Sequence, residues 1–163
     1  MAHYQLAFVY EWLNEISARD EAVKKAMTYA QKATEKERLY IESDYADYIE
    51  NDQSKSIRIL EQLANKYPKE KEAHQYLGIF HSAYANLDKA IAEYERLTTF
   101  CPKSREPFLI HPEYHYFLGK LYEQKRLKAK AAERYRRFLD LWKDADADRP
   151  EIDGARRRLA GLE

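Results

Sequence analysis

The sequence predicts an all-α fold, an α-solenoid (α-α superhelix) of about four helix pairs closed by a C-terminal capping helix. Three observations predict it. Only 4 Gly and 5 Pro among 163 residues leave little turn material for an all-β chain. Pro68 and Pro102 stand 34 residues apart, the length of a helix–turn–helix repeat. Gly78, Ala90 and Tyr94 recur as Gly119, Ala131 and Tyr135, every one displaced by 41. One common offset means one repeated unit, and 41 exceeds 34 by an insertion of 7 residues.

Taken in order, residues 1–34 form a degenerate first unit. Leu6, Ala7 and Tyr10 open it, a turn falls at Asn14, and Ser17 to Ala33 carries neither Gly nor Pro and favours helix. Ala26 holds a small-residue position, while Arg19 stands where the repeat wants Ala. Residues 35–68 form the second unit, with Tyr40, Tyr45 and Tyr48 before a Glu50-Asn51-Asp52 turn. Its second helix carries Ile57, Leu60 and Leu63 and stops at Pro68; Ser56 replaces the usual Ala. Residues 69–102 are the third unit and 112–145 the fourth. Between them lies an insertion, 103–111, marked by Pro107-Phe108-Leu109-Ile110. Residues 146–163 form the cap, whose first residues belong to an acidic DADAD run at 144–148. Pro150 suits a first helical turn, with Glu151 and Asp153 near the positive helix end. Ile152, Ala155, Leu159 and Leu162 give its apolar stripe, and Arg156 to Arg158 a wet face.

In the third unit, Leu77-Gly78, Ala90, Tyr94 and Pro102 appear in the order of the tetratricopeptide (TPR) signature, with His74 at the Trp position and His81 at the Tyr position. The chain thus resembles a TPR protein. Leu6–Leu13, Glu37–Glu42, His111–Lys125 and Tyr135–Asp146 resemble, more narrowly, the C-terminal TPR arrays of bacterial signalling proteins such as eukaryotic-type serine/threonine kinases. Nothing in the chain resembles the kinase itself: there is no Gly-rich loop, HRD or DFG. Helical periodicity from about Ala2 suggests a module taken from a larger protein, Met1 serving as an added start and Leu162-Glu163 as either a native or an appended end.

Composition narrows the function. The 28 basic and 28 acidic residues cancel, which argues against a dedicated nucleic-acid or anionic-membrane binder. No apolar run approaches the roughly 20 residues of a membrane span. Cys101 is alone, forms no intramolecular disulfide, and reads as a small apolar filler beside Pro102. Without a signal peptide, the chain reads as cytoplasmic. The 14 Tyr suit half-buried positions and interaction surfaces.

No constellation for catalysis is present: no G-x-S-x-G, no phosphate loop, no activated nucleophile. The expectation is a non-enzyme without cofactor or metal. His3, His74 and His115 recur at one repeat position, which points to packing. His111 and His115 are four apart, but Pro112 places His111 outside the helix. His74 and His81 have no carboxylate or thiol to complete a metal set. A basic run, Arg126, Lys128, Lys130, Arg134, Arg136 and Arg137, reads as a solvated helix face; RNA or anionic-ligand binding is its alternative.

The repeat register assigns a concave, aromatic-lined groove. Its lining is Tyr4, Phe8 and Glu11; Arg38, Ile41, Tyr45 and Tyr48; Gln75, Ile79 and Ser82, with Glu72 before them; and Tyr116, Lys120 and Glu123, with Glu113 before them. A carboxylate clamp needs Lys and Asn where Tyr4, Phe8, Tyr45, Gln75 and Ile79 stand. The expected partner is therefore an apolar and aromatic peptide or helix. Replacing Tyr45 and Tyr48 with Ala is expected to abolish capture and leave helicity intact. Self-association through an uncovered first helix is the rival reading.

Overall fold

The apolar residues recur at helical spacing, and the computed structural model, which describes residues 2–99, 111–143 and 149–162, contains nine α-helices among them and no strand. They are α1 (Ala2–Trp12), α2 (Ile16–Thr28), α3 (Glu35–Asp44), α4 (Gln53–Lys66), α5 (Lys71–Ala83), α6 (Leu87–Thr98), α7 (His111–Gln124), α8 (Lys128–Leu141) and α9 (Pro150–Ala160). A 3₁₀ turn (Ala30–Lys32) follows α2, and a π-helical turn (Tyr45–Ile49) extends α3. The Cys101-Pro102 pair, positions 103–110 of the expected insertion, the acidic run 144–148, Met1 and Glu163 lie outside the described residues. The chain divides into two compact units, residues 1–73 and 74–163.

In the first unit, α1 packs on α2 and α3 on α4. Ala7, Ala22 and Val23 form one small core, against which Tyr10, Tyr45, Tyr48 and Ile49 pack. Ala26, Ala30 and Ile41 form a second, flanked by Tyr4 and Ala33. On α4, Ser56, Leu60, Leu63 and Ala64 are buried. Local signals set the helix starts. Thr34 and Glu37 make a reciprocal capping box on α3, and the Asp52 side chain accepts the Lys55 N–H at 2.8 Å on α4. The helix expected over Ser17–Ala33 is shorter: it ends at Thr28 and tightens into the 3₁₀ turn. The Tyr29 N–H there reaches back to Ala26 O, and the Tyr29 ring stacks on His3 at 6.0 Å.

In the second unit one core joins α6, α7, α8 and α9. Ala90, Ile91, Tyr94 and Leu97 of α6 join Tyr114, Leu118, Leu121 and Tyr122 of α7, Ala131, Tyr135 and Phe138 of α8, and Ile152 and Ala155 of α9. Leu159 and Leu162 pack partly buried against it, so the stripe read on the last helix is its buried face. Pro150 is in the first turn of α9, with Glu151 and Asp153 at its start and Arg157 and Arg158 at its end, the polarity that complements the helix dipole. α7 begins at His111, one residue before Pro112. His111 is therefore inside the helix and not outside it, because proline's missing N–H costs nothing in a first turn.

In the α5–α6 and α7–α8 hairpins the tight approach of the paired helices is set by glycine. A Cβ on Gly78 would stand 2.9 Å from the Tyr94 ring, and one on Gly119 would sit still deeper in the Tyr135 ring. Both tyrosines are buried, so only a residue without Cβ fits beneath them.

The turn inside each hairpin is also common to the molecule. Asn14, Asn51, Ala85 and Arg126 all have left-handed backbones, with φ of 57°, 52°, 55° and 58°. At three of them the bonds are those of a Schellman motif. The Asn14, Ala85 and Arg126 N–H groups donate three residues back, and those of Glu15, Asn86 and Leu127 donate five back, to Tyr10, His81 and Tyr122. At the fourth, the Asp52 N–H reaches six residues back to Ala46. The extra residue is the one the π-helical turn inserts.

Candidate functional site

The residues assigned to a groove have different fates in the two units. In the first, Ile41 is 2% exposed and packs with Ala26 and Ala30, so it belongs to the core and does not line a surface. Tyr4 is half-buried against the same cluster, 6.2 Å from Tyr40. Tyr45 and Tyr48 are half-buried and pack on the Ala7–Val23 core, so they hold the π-helical turn on the α1–α2 hairpin. Their replacement by Ala is therefore expected to cost stability as well as any binding. Phe8 is half-buried; Arg38 is half-buried, 3.9 Å from the Glu42 carboxylate.

Glu11 belongs to a charged cluster that sequence reading missed. Its carboxylate accepts from Arg19 at 2.6 Å, Arg19 also binds Asp20 at 2.7 Å, and the guanidinium lies 4.0 Å over the Tyr48 ring. Arg19 thus occupies its degenerate repeat position as a bridge between α1, α2 and the π-helical turn. Next to it, burial pushes the Asp44 carboxyl up to about 8, with Glu72, Asp47 and Glu11 adding to the shift and Arg19 opposing it. Asp47 is raised by burial in the same way. The Tyr48 hydroxyl is raised by burial and by these carboxylates. The signal available in the sequence was a polar residue in a small-residue position, Arg19.

In the second unit, α5 places Gln75, Ile79 and Ser82 along one face, at i, i+4 and i+7. Ile79 is 46% exposed, and the Gln75 side-chain carbonyl is buried without a hydrogen-bond partner. On α7, by contrast, the assigned residues are engaged by the last helix. The Tyr116 ring packs on Tyr135 and Phe138, and its hydroxyl stands 2.8 Å from where a Cβ on Gly154 would be. Glu123 accepts from the Tyr135 hydroxyl at 2.5 Å and from Arg158 at 2.7 Å. Glu113 pairs with Arg149 at 3.0 Å, and the Lys120 ammonium lies 5.7 Å from the Tyr116 ring. Tyr116 and Glu123 are therefore covered by α9. The missed residues are Arg149, Gly154 and Arg158, which read in sequence as a linker end, a helix interior and a solvated face.

The histidines at the repeat's Trp position are packed. His74 is 1% and His115 5% exposed, and His74 Nδ1 lies 2.6 Å from Glu93; His3 stacks on Tyr29. His81 is also buried. Among the described residues no group of three His, Cys, Asp or Glu is placed to hold a metal ion. The basic residues of α8 are dispersed into local contacts: Arg134 lies 3.9 Å from Glu95, Arg137 3.2 Å from Asp140, and Lys130 5.4 Å from the Tyr122 ring. No described helix is long and apolar enough to cross a membrane.

The arrangement of helix pairs matches solved structures. The TPR-like repeats of a Podosopora anserina protein assigned as a kinesin light chain superpose with a TM-score of 0.69 at 16% identity, covering 99% of this chain and 83% of that one. A point variant of the same protein gives the same values. No family model matches the sequence, and no curated protein does. The fold is thus all-α and of the TPR-like α-solenoid class, the class in which stacked helix pairs present extended binding surfaces.

Proposed function

We propose that this chain is a protein-interaction module without catalysis of its own, which holds an apolar or aromatic peptide or partner helix. The observation that carries this reading is the α5 face. An apolar side chain, Ile79, stands nearly half exposed one turn from half-buried Gln75. Ser82 adds a hydroxyl a turn further along. That combination fits a bound segment that contributes an apolar contact and an N–H donor. The unit boundaries at 34, 68, 102 and 145, with the insertion at 103–111, frame the same reading. The resemblance of Leu6–Leu13 and Tyr135–Asp146 to bacterial signalling proteins suggests a regulatory or scaffolding part of a larger cytoplasmic protein.

Selection from a random displayed-peptide library tests this directly. Peptides with aromatic or aliphatic anchors are expected to be enriched. Ile79→Asp is expected to weaken the best of them at least tenfold, about 1.4 kcal/mol, with unchanged circular dichroism. Failure to enrich any sequence, or binding unchanged in Ile79→Asp, would overturn the reading.

A further inference from the structure

A second set of exposed apolar side chains lies on the α1–α2 hairpin. Leu6, Val9 and Leu13 recur at i, i+3 and i+7, and they are 43%, 50% and 61% exposed. Trp12 at 73% and Ile16 at 55% flank them. The remaining exposed apolar residues are spread over other helices and turns: Met27, Tyr29, Ile79, Tyr84, Leu127 and Leu141. Five large side chains at these exposures present on the order of 500 Å² of apolar surface, a patch of the size that marks an interaction site.

The chemistry of the patch selects its occupant. α1 contains a single charged residue, Glu11, and that carboxylate is held by Arg19. The face offers no charge to steer or fix a charged partner. It is, however, nearly the same read in either direction. Turned end over end about the midpoint between Val9 and Tyr10, Leu6 meets Leu13 of a second α1 and Val9 lies within about 1.5 Å along the axis of the other Val9. In that antiparallel arrangement exposed Glu15 comes beside the first turn of the other α1. That turn carries no acidic residue of its own to balance its partial positive charge. A parallel arrangement would instead set Glu15 against Glu15.

We infer that this face is the interface of a two-fold symmetric homodimer, in which α1 packs antiparallel on α1 of a second copy. The patch supplies most of the roughly 800 Å² per partner that a stable interface of standard size uses. Its self-complementarity is what an isologous contact demands. The α1 face belongs to the first unit and the α5 site to the second, and each is tested by its own substitutions.

The test is sedimentation equilibrium of the full chain over a concentration series. The expected result is a mass of twice the monomer. Val9→Glu combined with Leu13→Glu is expected to return the monomer at concentrations where the parent chain is dimeric, with unchanged helicity. Ile79→Asp is expected to leave the dimer intact. Orientation is read by oxidation in a Cys101→Ser background. Val9→Cys is expected to cross-link to itself, and Leu6→Cys only when mixed with Leu13→Cys. A monomer at every concentration assigns the patch to a different partner and overturns the proposal. So does a dimer that survives the double substitution, or self-cross-linking of Leu6→Cys without that of Val9→Cys.

Discussion

In the α7–α8 hairpin two helices approach through Gly119, which lies beneath the ring of buried Tyr135. In α3–α4 the helices also approach closely, but Ser43 and Ser56 meet there, both buried, their hydroxyls 2.9 Å apart. Sixteen residues after Gly119 comes Tyr135; the corresponding places hold Leu60 in the second hairpin and Val23 in the first. As that side chain shrinks from Tyr135 to Leu60, its counterpart on the preceding helix grows from Gly119 to Ser43; the first hairpin has the smaller pair Ala7 and Val23. What the architecture specifies is a summed volume at the crossing, and several residue pairs supply it. The polar pair adds a condition that the Gly–Tyr pair lacks: each buried hydroxyl needs the other.

The largest effect should come from filling the Gly119 site. Gly119→Ala is expected to destabilise the chain by about 2–3 kcal/mol, although alanine is the better helix former. Gly78→Ala, whose Cβ would meet Tyr94 less deeply, is expected to cost less. Combining Gly119→Ala with Tyr135→Leu should recover much of the loss if summed volume is the rule. Urea midpoints measure all three, and a Gly119→Ala chain as stable as its parent would break the comparison.

A second expectation concerns the π-helical turn, which only the second hairpin has. The folded Asp44 carboxyl, at about 8, holds its proton where an unfolded one, near 3.9, has lost it. Its contribution to stability is therefore complete below about pH 4 and is lost as pH rises towards 8. The groups facing it are Glu11 on α1, Arg19 on α2, Asp47 and Tyr48 on the turn, and Glu72 on α5. Asp44→Asn is expected to raise stability at pH 8.5 by about 1–2 kcal/mol after allowance for solvent screening, and little at pH 4. Trp12 reports the transition of this unit by fluorescence in a Trp142→Phe background. An equal gain at both pH values would refute the assignment.

The smallest effect is also the most diagnostic of the polar pair. Ser43→Ala and Ser56→Ala should each cost about 1 kcal/mol by orphaning a buried hydroxyl. The double substitution should cost less than either one, since Ala90 and Ala131 already hold the place of Ser56 in the other hairpins. Additive losses in a thermal-melt cycle would remove the distinction between the two crossings.

The same contrast explains what was legible in the sequence. Gly78, Gly119, Tyr94 and Tyr135 were readable because each contact depends on residue type at a fixed spacing. The π-helical turn was not, because one additional residue inside a helix changes neither composition nor propensity. It shifts register instead. The residues before it move one place relative to those after it, so Ser43 takes the small position and the 34-residue offset misplaces Ile41. On α7 the reading failed for another reason. Tyr116 and Glu123 have the right register, but a register does not show that Gly154 and Arg158 will lie upon them.

The left-handed turns carry a consequence for amide exchange. In three hairpins the residue after the turn donates its N–H five residues back, using backbone alone, whatever side chains stand there. The amides of Glu15, Asn86 and Leu127 are thus hydrogen-bonded in segments where exchange is ordinarily fast. Each hairpin carries one slow proton at its bend, and that of Asp52, bonded one residue further back, sets the second hairpin apart from the rest. In a deuterium-exchange record the repeats can therefore be counted from these protons even where the sequence signature has been erased.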